Sequence, residues 1–271
     1  MDLYKVANYY MRINSLDNMR DIKWKKFYVH DIKENITISS EEHMIFLDFI
    51  SFSQINNDIS IKEIGGFPLA ISIEDSIFLV DLQFKRAYAL QKNEETSKKF
   101  LCYMFYGRAI RHKIIQLHSS LVDYRGHGLM FLGPSGIGKT TQAELWAKYR
   151  DALIINGDVV FVQVTNKSCL GWGTPWHGSS PYCENINVPV HAMIVLKQSL
   201  ENSIRELAGF EKVTAVSNNV FYPTWLENGT EFCLETLDHL LSRIPVYELS
   251  CRPDEDAICL TEETIFGKSV I

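Results

Sequence analysis

The chain has 271 residues, 46% of them hydrophobic and 22% charged, which supports a full buried core and excludes disordered, collagen-like and coiled-coil architectures. Its net charge of −6 falls on the later part: residues 1–113 carry 16 basic and 15 acidic groups, and residues 114–271 carry 11 and 18. Nucleic-acid binding rests on a basic face that neutralises phosphates, and without that surplus no nucleic-acid partner is expected.

The first segment, MDLYKVANYYMRINS, has no apolar h-region, so a cytoplasmic location is expected. Residues 24–90 alternate between short β-rich stretches and polar breaks: KFYVHDI, NITIS and FPLAISIEDSIFLVDLQF. In the last of these, Ile71, Ile73, Ile77, Leu79 and Val80 flank an acidic break at Glu74–Asp75, which predicts two strands joined by a turn. The longest apolar run, MIFLDFISF, is interrupted by Asp48 and falls short of the ~18 residues a spanning helix needs, so no membrane partner is expected. A helix is predicted over about 95–113, with Thr96 as candidate cap and Phe100, Tyr103 and Met104 as its apolar face. Residues 1–94 therefore read as a β-rich region, a candidate surface for substrate recognition, and residues 95–271 as a second region.

From residue 114 the punctuation is denser. IIQLH predicts a strand, SSLVDYRGHGLMFLG a hairpin turning over Asp123–Gly128, and TTQAELWAKY a helix. Strands DALIIN and VVFVQV follow, and then a loop over 171–189 rich in Gly, Pro, Ser and Trp. Strand HAMIVLK, an amphipathic stretch near 209–221, a helix over 231–243, strand PVYELSC and a helix over 254–266 complete the chain. Hairpins rather than a steady βαβ alternation join these strands, so the fold class is α+β. The six cysteines, Cys102, Cys169, Cys183, Cys233, Cys251 and Cys259, include no C-x-x-C pair, and all six are expected as free thiols.

Chemistry concentrates after the hairpin. Gly133, Pro134, Ser135, Gly136, Ile137, Gly138, Lys139 and Thr140 match G-x-x-x-x-G-K-[ST], with a predicted strand before them and the helix TTQAELWAKY opening at their end; with Thr141 they form the expected nucleotide-binding set. Glycines let successive backbone N–H groups point at phosphate oxygens beside a helix N-terminus. Lys139 would reach the β- and γ-phosphates and the Thr140 hydroxyl a Mg²⁺ ion. An ordinary Gly-rich turn is the alternative, but this chain's composition makes a chance match rare. Asp158, at the end of the strand DALIIN, suits metal binding or proton acceptance. In N-G-D-V-V it also suits a plain turn. His118 lies one strand before the loop, where a lone histidine is ordinarily a core or edge residue. Trp172, Trp176, His177, Ser179 and Asn185 gather in loop 171–189, either as a substrate wall or as anchors of a surface loop. Arg205, Arg243 and Arg252 are candidate phosphate clamps, against a solvated or structural role for each.

The order LHSSLVD, GPSGIGKT, IINGD, GTPWHGSS, NSIREL and LLSRIPVYELSCRPDEDA resembles the HPr kinase/phosphorylase-related branch of the phosphoenolpyruvate-carboxykinase-like kinases, over about residues 100–271. The histidine before the hairpin and the downstream G-T-P-W narrow it to the short G-x-P-W type associated with peptide modification. The resemblance implies a phosphoenolpyruvate-carboxykinase/HPr-kinase-like P-loop core behind the β-rich N-terminal region. It implies an ATP- and Mg²⁺-dependent kinase acting on a hydroxyl. Gly133–Thr140 fall on the family's phosphate loop, His118 on its pre-hairpin histidine and Asp158 on the second of its adjacent aspartates. Lys139, Asp158 and His118 are then the catalytic set, Thr140 and Asp158 the metal set, and Trp176, His177, Ser179, Asn185, Arg205 and Arg252 the substrate candidates. Two departures stand out. Gly157 occupies the place of the first aspartate, and the family's E-I-R-G-x-G segment is replaced by GTPWHGSS, which argues against a carrier-protein phosphorylase. A serine of a peptide or small protein is the expected acceptor. Free serine or another small metabolite is an alternative acceptor, and a nucleotide-binding regulator or a peptide-binding module are alternative functions.

Overall fold

A computed structural model describes residues 2–14, 24–29, 43–49, 67–73, 76–90 and 94–267. The fold is mixed α and β with two sheets, and its contacts divide the chain into two compact units, Met1–Arg111 and His112–Ile271.

In the first unit a six-stranded sheet has the order β1-β2-β3-β6-β5-β4, from β1 (Asp2–Val6), β2 (Tyr9–Asn14), β3 (Met44–Phe49), β4 (Leu69–Ile73), β5 (Ser76–Val80) and β6 (Arg86–Leu90). Alternation decides its buried face: Tyr9, Met11 and Ile13 on β2, Ile45 and Leu47 on β3, Phe78 and Val80 on β5, Ala87 and Ala89 on β6. Helix α1 (Glu94–Ala109) supplies Phe100, Met104 and Phe105 to the same core, with Phe100 stacked on Phe78 at 4.6 Å between ring centroids. The expected pair of strands is β4 and β5, paired antiparallel; the turn at 74–75 lies outside the described residues, as does NITIS. Of KFYVHDI, residues 30–32 lie outside the described residues and Tyr28 makes an isolated antiparallel bridge to Tyr4; Lys26 and Phe27 belong to a 3₁₀ turn, Trp24–Phe27. Its spacing of three residues puts Trp24 and Phe27 on one side, where both are buried. The run MIFLDF forms β3, and among the described residues no helix is long and apolar enough to cross a membrane. Thr96 is buried inside α1 rather than ahead of it.

The second unit is built on two long strands. β7 (Ile114–Tyr124) joins the predicted strand IIQLH to the hairpin's first arm, and β8 (His127–Leu132) is the second arm. Their two-residue turn places Arg125 and Gly126 both at positive φ, the twist a tight hairpin needs. Then come α2 (Lys139–Arg150), β9 (Leu153–Asn156), β10 (Val159–Val164), β11 (Cys169–Trp172), β12 (Asn187–Gln198), β13 (Ser203–Glu206), α3 (Gly209–Ser217), α4 (Gly229–Leu241), β14 (Val246–Cys251) and α5 (Glu255–Phe266). The strand order is β11-β10-β7-β8-β12-β14-β13; β9 adds to β7, and β11 also pairs β12, which closes five strands into a ring. β8, β12 and β14 run parallel.

Helices α2 and α5 cover one face through Val122, Leu129, Phe131, Ala143, Trp146, Ile194, Leu249 and Ile258. Trp146 packs edge-on to Tyr124 at 5.1 Å, and Glu262 of α5 accepts hydrogen bonds from the Tyr124 hydroxyl and the Arg150 guanidinium, each at 2.5 Å. All six cysteines are free thiols, and burial raises that of Cys102 to about 12.

Candidate functional site

Both neighbours of β7 break at the same level, and that break builds the site. On one edge β9 pairs residues 121–123 and β10 pairs residues 114–118, so the two act as one strand interrupted at Gly157–Asp158. On the other edge β8 pairs residues 119–124 and then turns away at Gly133; beyond it the segment 219–221 runs beside Gln116–His118. His118 stands at the interruption, with the turn carrying Asp158 on one side and the start of the Gly-rich loop on the other.

On the first side the imidazole Nε2 of His118 donates to Asp158 Oδ1 at 3.0 Å, the two side chains being 26% and 30% exposed. The turn is held from below by Asn156, whose Oδ1 accepts the N–H groups of Asp158 and Val159 and whose Nδ2 donates to the carbonyls of Thr174 and Trp176. One buried amide thus fixes both the Asp158 turn and the loop over it. That loop spans residues 173–186, since Cys169–Trp172 forms β11 and β12 begins at Asn187. It crosses Asp158 at Gly178, which is at φ 54; a Cβ there would lie 1.9 Å from Asp158 Oδ2.

Gly157 has the same kind of explanation. A Cβ on it would lie 1.8 Å from Ser180 Oγ and 2.5 Å from Ser180 Cβ, so the serine of the overlying loop fills the room an aspartate side chain would need. Introducing Gly157→Asp should therefore cost about 1–3 kcal/mol through overpacking and lower the melting temperature by about 2–10 °C. Gly157→Asp/Ser180→Gly should recover part of that loss. Thermal unfolding of both variants checks it; a single variant as stable as wild type contradicts the packing account.

On the second side the Gly-rich loop leaves β8 with Gly133, Gly136 and Gly138 all at positive φ, conformations that bring backbone N–H groups to one side at little steric cost. No side chain caps the N-terminus of α2, so its first N–H groups are open to an anion. Lys139 is 6% exposed and bends back over the loop, donating to the carbonyls of Gly133 at 3.0 Å and Pro134 at 3.2 Å. Burial pushes its ammonium below the usual lysine range, while the nearby Asp158 carboxylate pulls it up. Thr140 Oγ1 donates to the Gly157 carbonyl at 3.2 Å, and buried Ser120 Oγ of β7 donates to the Lys139 carbonyl at 2.9 Å. Pro134, Ser135, Gly136 and Thr141 are exposed at the loop's outer surface.

Two cavities flank the loop. One, of about 410 Å³, is lined by Gly136, Gly138, Thr141, Gln142, Ser199 and Arg252 among others. The other, of about 740 Å³, runs from Gly133 and Pro134 along Val195–Lys197 to Phe210, Thr214 and Asn219.

Thr140 bonds to the Gly157 carbonyl, the residue before Asp158, so one hydroxyl and one carboxylate belong to the same turn. That set fits Mg²⁺, which takes few protein oxygens when phosphate and water complete its shell. Among the described residues no group of three or more His, Cys, Asp or Glu could hold a metal without such help.

The remaining sequence candidates are dispersed. Trp176 contributes its carbonyl to Asn156 and its ring to Phe161 at 5.8 Å; the His177 carbonyl accepts the Ser180 N–H; Ser179 is exposed and Asn185 partly so on the same loop. Trp172 lies in β11, its indole donating to Gln163. Arg205, half exposed on β13, is committed to the carboxylates of Glu211 and Glu248. Arg243 donates to the Thr165 carbonyl, and Arg252, though it lines the smaller cavity, pairs with Asp254 at 2.8 Å. Sequence reasoning missed Asn156, Ser180 and Asn219. Asn156 carried a signal, the N of N-G-D, whereas the other two act over distances that no local pattern encodes.

No protein-family model matches the chain, and no curated protein matches it. Among solved structures the chain is similar to the Hpr(Ser) kinase/phosphatase from Coxiella burnetii, with 14% identity over 56% of this chain and 93% of that one and a TM-score of 0.30.

Proposed function

We propose that this protein is a kinase that transfers the γ-phosphoryl group of ATP, with Mg²⁺, to a hydroxyl, most simply a serine of a peptide or small protein. The observation that carries the reading is the hydrogen bond from Thr140 to the Gly157 carbonyl, 17 residues away, which joins the Gly-rich loop to the Asp158–His118 pair as one site. A structural turn has no need of a lysine turned inward, an uncapped helix start and a carboxylate–imidazole pair at one point.

In this reading the loop amides and the α2 N-terminus take up the phosphates, and Lys139 exchanges its carbonyl partners for β- and γ-oxygens. Thr140 and Asp158 would hold Mg²⁺, which when bound draws charge off the phosphoryl oxygens. The acceptor oxygen attacks the γ-phosphorus as the bond to the ADP oxygen breaks, and its proton passes to the Asp158 carboxylate, steadied by His118 at Oδ1. Alignment of donor and acceptor supplies most of the acceleration. The cavities beside the loop leave room for a nucleoside, and loop 173–186, lying on Asp158, would bear on acceptor choice. The region before residue 95 is assigned a recognition role in this scheme.

The test is mass spectrometry of serine-containing peptides and of free serine after incubation with the protein, ATP and Mg²⁺. An added phosphoryl group on one class, with ADP formed in step, is the expected result. Nucleotide binding without transfer to any hydroxyl would replace the kinase by a nucleotide-binding regulator, the reading that Ser180 in the place of a second carboxylate favours.

A further inference from the structure

We infer that Asn219 is the positioning residue that sets the Gly-rich loop against the His118–Asp158 pair; the inference rests on the reading of that loop as a nucleotide site. Where β8 leaves β7, two backbone N–H groups lose their ladder partners together: Gly133, because the chain turns into the loop, and His118, because its neighbour on that edge has gone. A buried N–H without an acceptor is costly, so something must enter the gap. Asn219 enters it. Its own carbonyl accepts the His118 N–H at 2.8 Å, and its side-chain Oδ1 accepts the Gly133 N–H at 2.9 Å.

The residue is itself held rigidly. It is 6% exposed, its Nδ2 donates to the Ala215 carbonyl at 2.9 Å, and its N–H donates to the Val216 carbonyl at 2.9 Å. The amide is therefore oriented by its donor end at the end of α3, leaving its oxygen fixed toward the loop. Among the twenty side chains the pattern suits asparagine: an acceptor and a donor on one short planar group. Aspartate keeps the acceptor and loses the donor. Alanine loses both and leaves the Gly133 N–H stranded in a buried place.

Asn219 touches no reacting atom. Its effect would run through the first residue of the loop, whose carbonyl receives Lys139 Nζ, and through the backbone of His118. A shift of loop against pair by an ångström is enough to lower a transfer rate about a hundredfold while the loop's own amides still hold phosphate. The signature of positioning is thus a loss in kcat with little change in nucleotide affinity.

The experiment compares wild type, Asn219→Ala and Asn219→Asp at a temperature where circular dichroism shows each folded. It measures calorimetric affinity for a non-hydrolysable ATP analogue with Mg²⁺, kcat for phosphoryl transfer, and the imidazole NMR signals of His118 with and without the analogue. Asn219→Ala should bind the analogue within about threefold of wild type, lose about 10–100-fold in kcat, and show an altered His118 response on binding. Asn219→Asp should keep more of the rate than Asn219→Ala. If Asn219→Ala does not fold, the same split in Asn219→Asp decides. Unchanged kcat and an unchanged His118 response, or a loss confined to affinity, would overturn the assignment of Asn219 alone. Failure of the wild type to bind the analogue would overturn the nucleotide reading and this inference with it.

Discussion

Asp158→Asn is expected to lower phosphoryl transfer at least about a hundredfold while nucleotide affinity stays near wild type. The substitution keeps shape: Oδ1 remains to face His118 Nε2, and the amide fits under Gly178 where Oδ2 sits. What it removes is the charge that would hold Mg²⁺ and the base that would take the hydroxyl proton. Gly157, closed off by Ser180, offers no second carboxylate to take over either task. Binding itself draws on the loop amides, the start of α2 and Lys139, none of which changes. Acceptor phosphorylation followed by mass spectrometry, beside calorimetric nucleotide affinity, checks this. Transfer within a few-fold of wild type would move the chemistry to another group, His118 first.

Lys139→Ala should abolish the thermal stabilisation that ATP and Mg²⁺ confer. A ligand at a hundred times its Kd stabilises by about 2.7 kcal/mol, so the effect removed is large and directly read as a melting shift. The unliganded protein should change far less. Burial already disfavours the ammonium, as the direction of its shift shows, and its two hydrogen bonds go to carbonyls on a loop whose outer residues are exposed to water. The two melting curves without nucleotide should therefore lie close together, and only the wild-type curve should move when nucleotide is added. An equal shift in the variant would show that nucleotide binds elsewhere than on residues 133–141.

The parts of this fold that were legible in the sequence are those whose signals are local. The hairpin of β7 and β8 shows in its turn over Asp123–Gly128, the loop in its glycines and lysine, and α2, β9, β10, β14 and α5 in their local patterns. Readings failed where the determinant is remote. Asn219 lies 86 residues from the Gly133 N–H that it serves, and Ser180 owes its importance to an absent side chain at Gly157. Arg205 looked like a phosphate clamp because an unpaired arginine is one; its carboxylates on α3 and β14 come together only in three dimensions. In the first unit, β2 carries a strand signal of its own, Tyr9, Met11 and Ile13 alternating with Tyr10, Arg12 and Asn14, which the sequence reading did not use. KFYVHDI opens at the end of a 3₁₀ turn, where three-residue spacing buries Trp24 and Phe27 together.

The pairing of β7 on both edges has a dynamic consequence. Residues 114–124 lose no ladder partner where β8 and β9 end, because Asn219–Phe221 and Asp158–Val159 continue the pairing at once. The amide of His118 is bonded to the Asn219 carbonyl and that of Ser119 to the Asp158 carbonyl, so adjacent residues are tied to opposite neighbours. Fraying from one edge therefore does not release the imidazole; both ladders must part. Proteins usually draw their moving parts from the least protected segments, whereas this histidine lies on a strand paired along both edges. Adjustment beside the imidazole then falls to the segment over Asp158, residues 173–186, which is no part of the β7 ladders.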